Sequence, residues 1–186
     1  MKTDQEIQSI LDKSECLYNK KAIDTALDQM AHDIAEKLQE TYPLILCVMT
    51  GALIPLGHLV TRLSFPLEID YVHVTRYRGS IRAGELHWLH EPKMPLTNRT
   101  ILVVDDIMDG GLTLTAILDY CHQQKAKAVY SAVMVNKNRT REDGVRYEPD
   151  FVGVTTDDRY LFGFGLDYEE SLRNLPGIYA VNDGVK

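Results

Sequence analysis

Three continuous apolar runs limit the fold more than any other feature of this chain: "LILCVM" (44–49), "TILVVDD" (100–106) and "AVYSAVMVN" (128–136). A strand with one wet face alternates apolar and polar residues, whereas a run without alternation has both faces covered. Segments of helical period separate the runs. Ile23, Leu27, Met30, Ile34 and Leu38 form one stripe, ended by Pro43. "TGAL" opens a second helix that continues to Leu63, and 112–124 reads as a third. Thr3 and Glu6 stand at capping-box spacing before a short N-terminal helix. "LEIDYVHVT" (67–75), "FVGVTT" (151–156) and "YLFGFGLDY" (160–168) add strand-like pieces. This alternation predicts an α/β fold with a mainly parallel central sheet flanked by helices. No repeat, low-complexity tract or linker divides the 186 residues, so a single domain is expected. Residues 76–95 break the pattern and are expected to form a mobile loop with a short hairpin near "ELHWLH".

In open parallel sheets, ligands bind at the carboxyl ends of the strands. "ILVVDDIMDGGLTL" (101–114) marks such an end. Ile101 to Val104 bury the strand, and Asp105 and Asp106 follow at its edge. Adjacent carboxylates repel, so a site that keeps them normally holds a cation or hydroxyl donors. Neither Cys nor His lies nearby, and hard oxygen donors suit Mg²⁺. Gly110 and Gly111 permit a tight loop with inward amides, Thr113 adds a hydroxyl, and a helix starts there. Together they make an anion cradle suited to a phosphate monoester. Carboxylates for hydroxyls and metal beside amides for phosphate describe a phosphorylated sugar.

Other readings fit less well. Asp106 alone would pass for a helix cap. "VVDD" also opens receiver domains, but there the acids close the first strand, and here about 100 residues precede them. Gly79 and Gly84 have Walker-loop spacing, but Glu85 and Leu86 replace the required Lys and Ser/Thr. The net charge of −7 disfavours nonspecific nucleic-acid binding. Three cysteines without CxxC spacing point to a reducing compartment, and no signal peptide or membrane-length apolar run is present, so a cytoplasmic protein is expected.

"VVDDIMDGGLT" resembles the 5-phosphoribosyl-1-pyrophosphate (PRPP) signature of type I phosphoribosyltransferases. "PDFVGVTTDDRYLFGFGLDYEESLRNLPGIYAV" (149–181) resembles the C-terminal hood of the hypoxanthine-guanine branch, and "VMTGALI" (48–54) extends the likeness. The resemblance implies a core at about 20–136, a small hood formed largely by 137–186, and PRPP transfer to a 6-oxopurine with Mg²⁺. It also implies a homodimer or homotetramer.

Roles follow residue by residue. Asp105 and Asp106 would meet the ribose hydroxyls directly or through Mg²⁺, and Asp109 would act as general base or acid near purine N7. Gly110, Gly111, Leu112 and Thr113 would wrap the 5′-phosphate. Thr50, Gly51 and Ala52 would form the pyrophosphate loop, with a cis peptide at Met49–Thr50. Lys137 would donate to the purine 6-oxo group, Tyr160 would stack on the base and the Leu161 backbone would touch its edge. Asp167 would help hold a second Mg²⁺, and Arg173 would contact pyrophosphate. Arg76, Tyr77 and Arg78 would open the mobile loop.

The chain departs from the family's pattern in places. Asp105 stands where many members have Glu, and the stretch from Lys137 to Asp150 is somewhat longer. A xanthine-preferring enzyme and an RNA-binding regulatory relative are the alternatives. Asp109 counts against the second, because the regulatory type usually lacks that carboxylate.

Overall fold

A computed structural model describes residues 3–76 and 86–182, with the side chains of Arg76 and Leu86 left aside. Along the chain run α1 (Asp4–Asp12), β1 (Ser14–Tyr18), α2 (Lys20–Leu38), β2 (Leu44–Met49), α3 (Leu53–Val60), β3 (Glu68–Arg76) and β4 (Leu86–His90). Then come β5 (Thr100–Met108), α4 (Leu112–Gln123), β6 (Ala128–Asn138), β7 (Phe151–Asp157), β8 (Leu161–Phe162) and β9 (Ile178–Val181).

Six strands form one sheet in the order β4-β3-β2-β5-β6-β7. All its pairs are parallel except β3–β4. Leu44, Ile45 and Leu46 are consecutive and each 0% exposed, as a strand covered on both faces requires. The α2 stripe supplies one cover: Ile23, Leu27, Met30, Ile34 and Leu38 are all buried. Asn19 caps that helix by accepting from the Ala22 amide at 3.0 Å. The predicted capping box at α1 is present, with Thr3 and Glu6 bonded reciprocally. After β2 the chain passes through α3 to β3 on one side, and later returns to β5 on the other. The β2/β5 junction is therefore a topological switch point, where a crevice opens.

The remaining strands make a small antiparallel sheet, β1-β9-β8. Two of its three strands come from the C-terminal segment, as the resemblance implied, and β1 joins them from the N-terminal side, where Ser14 pairs with Val181. The core sheet runs past 136: β6 continues to Asn138 and β7 lies beside it. β6 thereby has a strand on both sides, while β7 closes the sheet as its edge.

The expected loop at 76–95 is shortened at its far end. Leu86–His90 pairs with β3, and the amides of Lys93 and Met94 both donate to Asp70 Oδ2 at 2.8 Å. Tyr77 and Arg78 lie outside the described residues.

Candidate active site

At the carboxyl ends of β2 and β5 lies a cleft of about 730 Å³, within the range of small-molecule sites. From β2 and its turn it takes Thr50 and Gly51. From β5 and its loop come Asp105, Asp106, Asp109, Gly110 and Gly111, then Thr113 of α4. From the hood side come Asp167 and Arg173. Ten predicted residues, far apart in sequence, thus face one space.

Asp105 is buried, and its Oδ1 accepts from the Asp106 amide at 2.9 Å. Burial, then the neighbouring Asp106 charge, raise the Asp105 carboxyl well above its ordinary value. Burial also raises Asp106, against the opposing pull of Arg173. Arg173 Nη1 stands 3.9 Å from Asp106 Oδ2. The pair is therefore short of positive charge. Cys47, buried beside it, has its thiol pushed up to about 12 by burial and by these two carboxylates, so it is no nucleophile.

A backbone turn closes the β2 side. The Met49–Thr50 peptide is cis, as expected. Gly51 runs so close to Asp106 that an added Cβ would collide with its carboxyl group. Ala52, the N-cap of α3, is fully buried, its amide donates to Val48 O at 3.1 Å, and it is not among the cleft residues.

The β5–α4 loop turns on Gly111, whose φ of 92° a side chain rarely adopts. Gly111 is also the N-cap of α4, and no side chain caps that helix. The positive end of the α4 dipole, with its first amides, therefore serves the cleft that Gly110, Gly111 and Thr113 line. Leu112 is the first residue of α4 but is not among the cleft residues.

Asp109 links this loop to the end of β6. Its Oδ1 lies 2.9 Å from Arg139 Nη1 and 3.6 Å from Lys137 Nζ. Asp158 completes the cluster, 3.1 Å from Lys137 and 3.5 Å from Arg139. Lys137 is 8% exposed, so it is not a lysine waving in solvent at a strand end. A buried ammonium with carboxylates on two sides is a positioned donor. Tyr160, 53% exposed, packs edge-on against Tyr168 on the hood, and buried Leu161 pairs with Ala180. These three predicted purine contacts do not line the cleft itself; Lys137 meets it through Asp109.

Asp167 does not join Asp105 and Asp106 as one cation site. Arg173 Nη2 holds Asp167 Oδ1 at 2.7 Å, and among the described residues no three His, Cys, Asp or Glu side chains converge. Arg173 also donates to Gly165 O at 2.6 Å. Gly165, at φ 102°, leaves no room for a Cβ against Gly51 O, which seats the hood on the β2 turn. The expectations for residue 76 concern a side chain outside the described set.

Sequence reasoning missed Arg141 and Asp158, and gave no role to Ile107, which lines the cleft. Lys137, Arg139 and Asp158 gather only because β6 and β7 are neighbours, which no local motif announces.

Comparison with known proteins gives a consistent picture. The family described as phosphoribosyl transferase domain matches residues 14–170. The hypoxanthine-guanine phosphoribosyltransferase of Bacillus subtilis is 30% identical over 175 residues, covering 94% of this chain and 96% of its own. That of Aquifex aeolicus is 31% identical over 173 residues, covering 92% and 96%. A solved hypoxanthine-guanine-xanthine phosphoribosyltransferase superposes with a TM-score of 0.83 at 27% identity, over 92% of this chain and 99% of that one.

Proposed function

This chain belongs to the phosphoribosyl transferase domain family, and from that premise we propose that it is a purine salvage enzyme. It transfers the phosphoribosyl group of PRPP to N9 of hypoxanthine or guanine, giving IMP or GMP and pyrophosphate. The observation that carries this reading is the contact between Asp109, in the phosphate loop, and buried Lys137, at the end of β6. It sets a proton acceptor and a fixed cation side by side, next to an anion cradle.

The chemistry asks the protein mainly to position two reactants and to balance charge. Gly110, Gly111 and Thr113 hold the 5′-phosphate at the head of α4. Asp105 and Asp106 face the ribose hydroxyls. Thr50 and Gly51, with Arg173, receive the pyrophosphate. Asp109 takes the proton from the purine ring, and Lys137 donates to the 6-oxo oxygen. Tyr160 supplies a stacking face from the hood. The two carboxylates at 105 and 106 are countered only in part, by Arg173, and their hard oxygens suit Mg²⁺. Asp105 and Asp106 would hold one ion and Asp167 a second, with substrate oxygens and water completing each shell. When bound, the ions neutralise the departing pyrophosphate.

Two further points belong to the same reading. Ile69 and Tyr71 are exposed at alternate positions of β3, and Leu89 is exposed on the neighbouring edge strand β4; exposed apolar side chains of that kind suit a homo-oligomer. The three free cysteines suit a cytoplasmic setting.

One assay tests the proposal: nucleotide formation from PRPP with hypoxanthine, guanine, xanthine, adenine and uracil in parallel. Turnover of hypoxanthine or guanine, and little of adenine and uracil, is expected. Failure with both oxopurines, or a preference for uracil, sinks it. Xanthine as the best substrate would replace it with the neighbouring activity.

A further inference from the structure

The segment after β6 does more than connect two strands. Arg141 lies inside it with its side chain 17% exposed. Its Nη1 donates to Asp109 O at 3.0 Å and to Lys137 O at 3.0 Å, with Met108 O at 3.5 Å. Its Nη2 donates to the Asn136 side chain and to Glu148 Oε2 at 3.0 Å. Its Nε donates to Glu148 Oε1 at 3.2 Å. A guanidinium carries five donors in a rigid plane, which an ammonium cannot imitate. The next residue continues the pattern: the Glu142 amide donates to Gly110 O at 3.0 Å.

These bonds have a geometric consequence. In a trans peptide the N–H points opposite to the C=O. Both peptides here are trans, since the cis bond among the described residues is Met49–Thr50. Holding Asp109 O against Arg141 turns the Gly110 amide the other way. Holding Gly110 O against Glu142 does the same for the Gly111 amide. These two residues line the cleft. We propose that Arg141 is a positioning residue: it orients the phosphate-loop amides, and through the Lys137 carbonyl it fixes that loop's distance from the buried lysine. The assignment rests on the proposed reaction for its use, but not for its geometry.

The test separates the two. In protein without PRPP, ¹⁵N relaxation reports the Gly110 and Gly111 amides directly. Wild-type order parameters near about 0.85 and values below about 0.6 in Arg141→Met are expected, with amides of β2 and β5 unchanged. PRPP affinity by calorimetry should weaken about 10- to 150-fold in Arg141→Met, as for a lost charged hydrogen bond. Arg141→Lys, which retains the charge but not the fork, should fall between. Glu148→Gln removes the exposed ion pair and keeps the carbonyl bonds, so PRPP affinity should stay within about fivefold of wild type. Unchanged order parameters and affinity in Arg141→Met overturn the assignment. So does a Glu148→Gln deficit equal to that of Arg141→Met, because the ion pair would then be the cause. If wild-type protein binds no PRPP, the proposed reaction falls, and the relaxation comparison still decides Arg141.

Discussion

Asp109 is where two demands meet on one residue. Its carboxylate is bound by Arg139 and approached by Lys137, and its carbonyl is held by Arg141. Asp109→Asn keeps the shape and removes the proton acceptor. General acid–base groups contribute about 10²–10⁴-fold, so kcat should fall by that much with PRPP affinity nearly kept. A variant above about half the wild-type kcat would remove the proton-transfer role.

In the proposed reaction, Lys137 makes the complementary choice among bases. It donates and cannot accept, so it matches a 6-oxo group and opposes a 6-amino group. Lys137→Met should lower kcat/KM for hypoxanthine and guanine about 10- to 150-fold and leave the PRPP KM alone. Wild-type turnover in that variant would move the donor to Arg139 or to the backbone.

The acids, glycines and threonine of the loop were legible because one short stretch carries them all. Arg141 was not, because its partners are mostly backbone carbonyls of other segments, and carbonyls leave no trace in a residue pattern.

At the scale of elements, the β5–α4 loop sets the site's tolerance. Gly111 at φ 92° also meets Met108 and Val145, so a Cβ there has neither the conformation nor the space. Gly111→Val should unseat the loop and weaken PRPP binding strongly while the sheet survives. Calorimetry with unchanged PRPP affinity would take this loop out of the site.

The parallel sheet was legible because strands buried on both faces announce themselves. The ends of elements were less so: β5 runs through both acids to Met108, since neighbouring β6 continues beside it to Asn138. β1 escaped notice because "SECLY" is short and half polar, and its strand character comes from pairing with β9.

At the scale of the whole molecule, the site is a cost to the fold. Asp105 has a raised native value, so between the ordinary carboxylate value of 3.8 and that raised value the native state holds a proton the unfolded chain has lost. Its contribution to stability is complete below 3.8 and declines as pH rises. Asp105→Asn removes the liability and can still accept from the Asp106 amide. The variant should therefore melt higher than wild type in the absence of PRPP and metal, by more at pH 8 than at pH 5. For a chain of this size each kcal/mol is about 2–4 °C. A melting difference that shrinks with rising pH would contradict the sign. Stability exchanged for activity at a buried carboxylate is a common arrangement.

The small sheet has its own order of events. β9 lies in the middle of β1-β9-β8, so neither outer strand has a partner until Ile178–Val181 exists as chain. During synthesis, every strand of the six-stranded sheet has been made by Asp157, well before that point. A nascent chain can therefore complete the six-stranded sheet while Leu161, and the Asp167 and Arg173 side of the cleft, still wait to be made or paired. Contacts of such long sequence separation close late and slowly. The small sheet is the last part of the molecule to be completed.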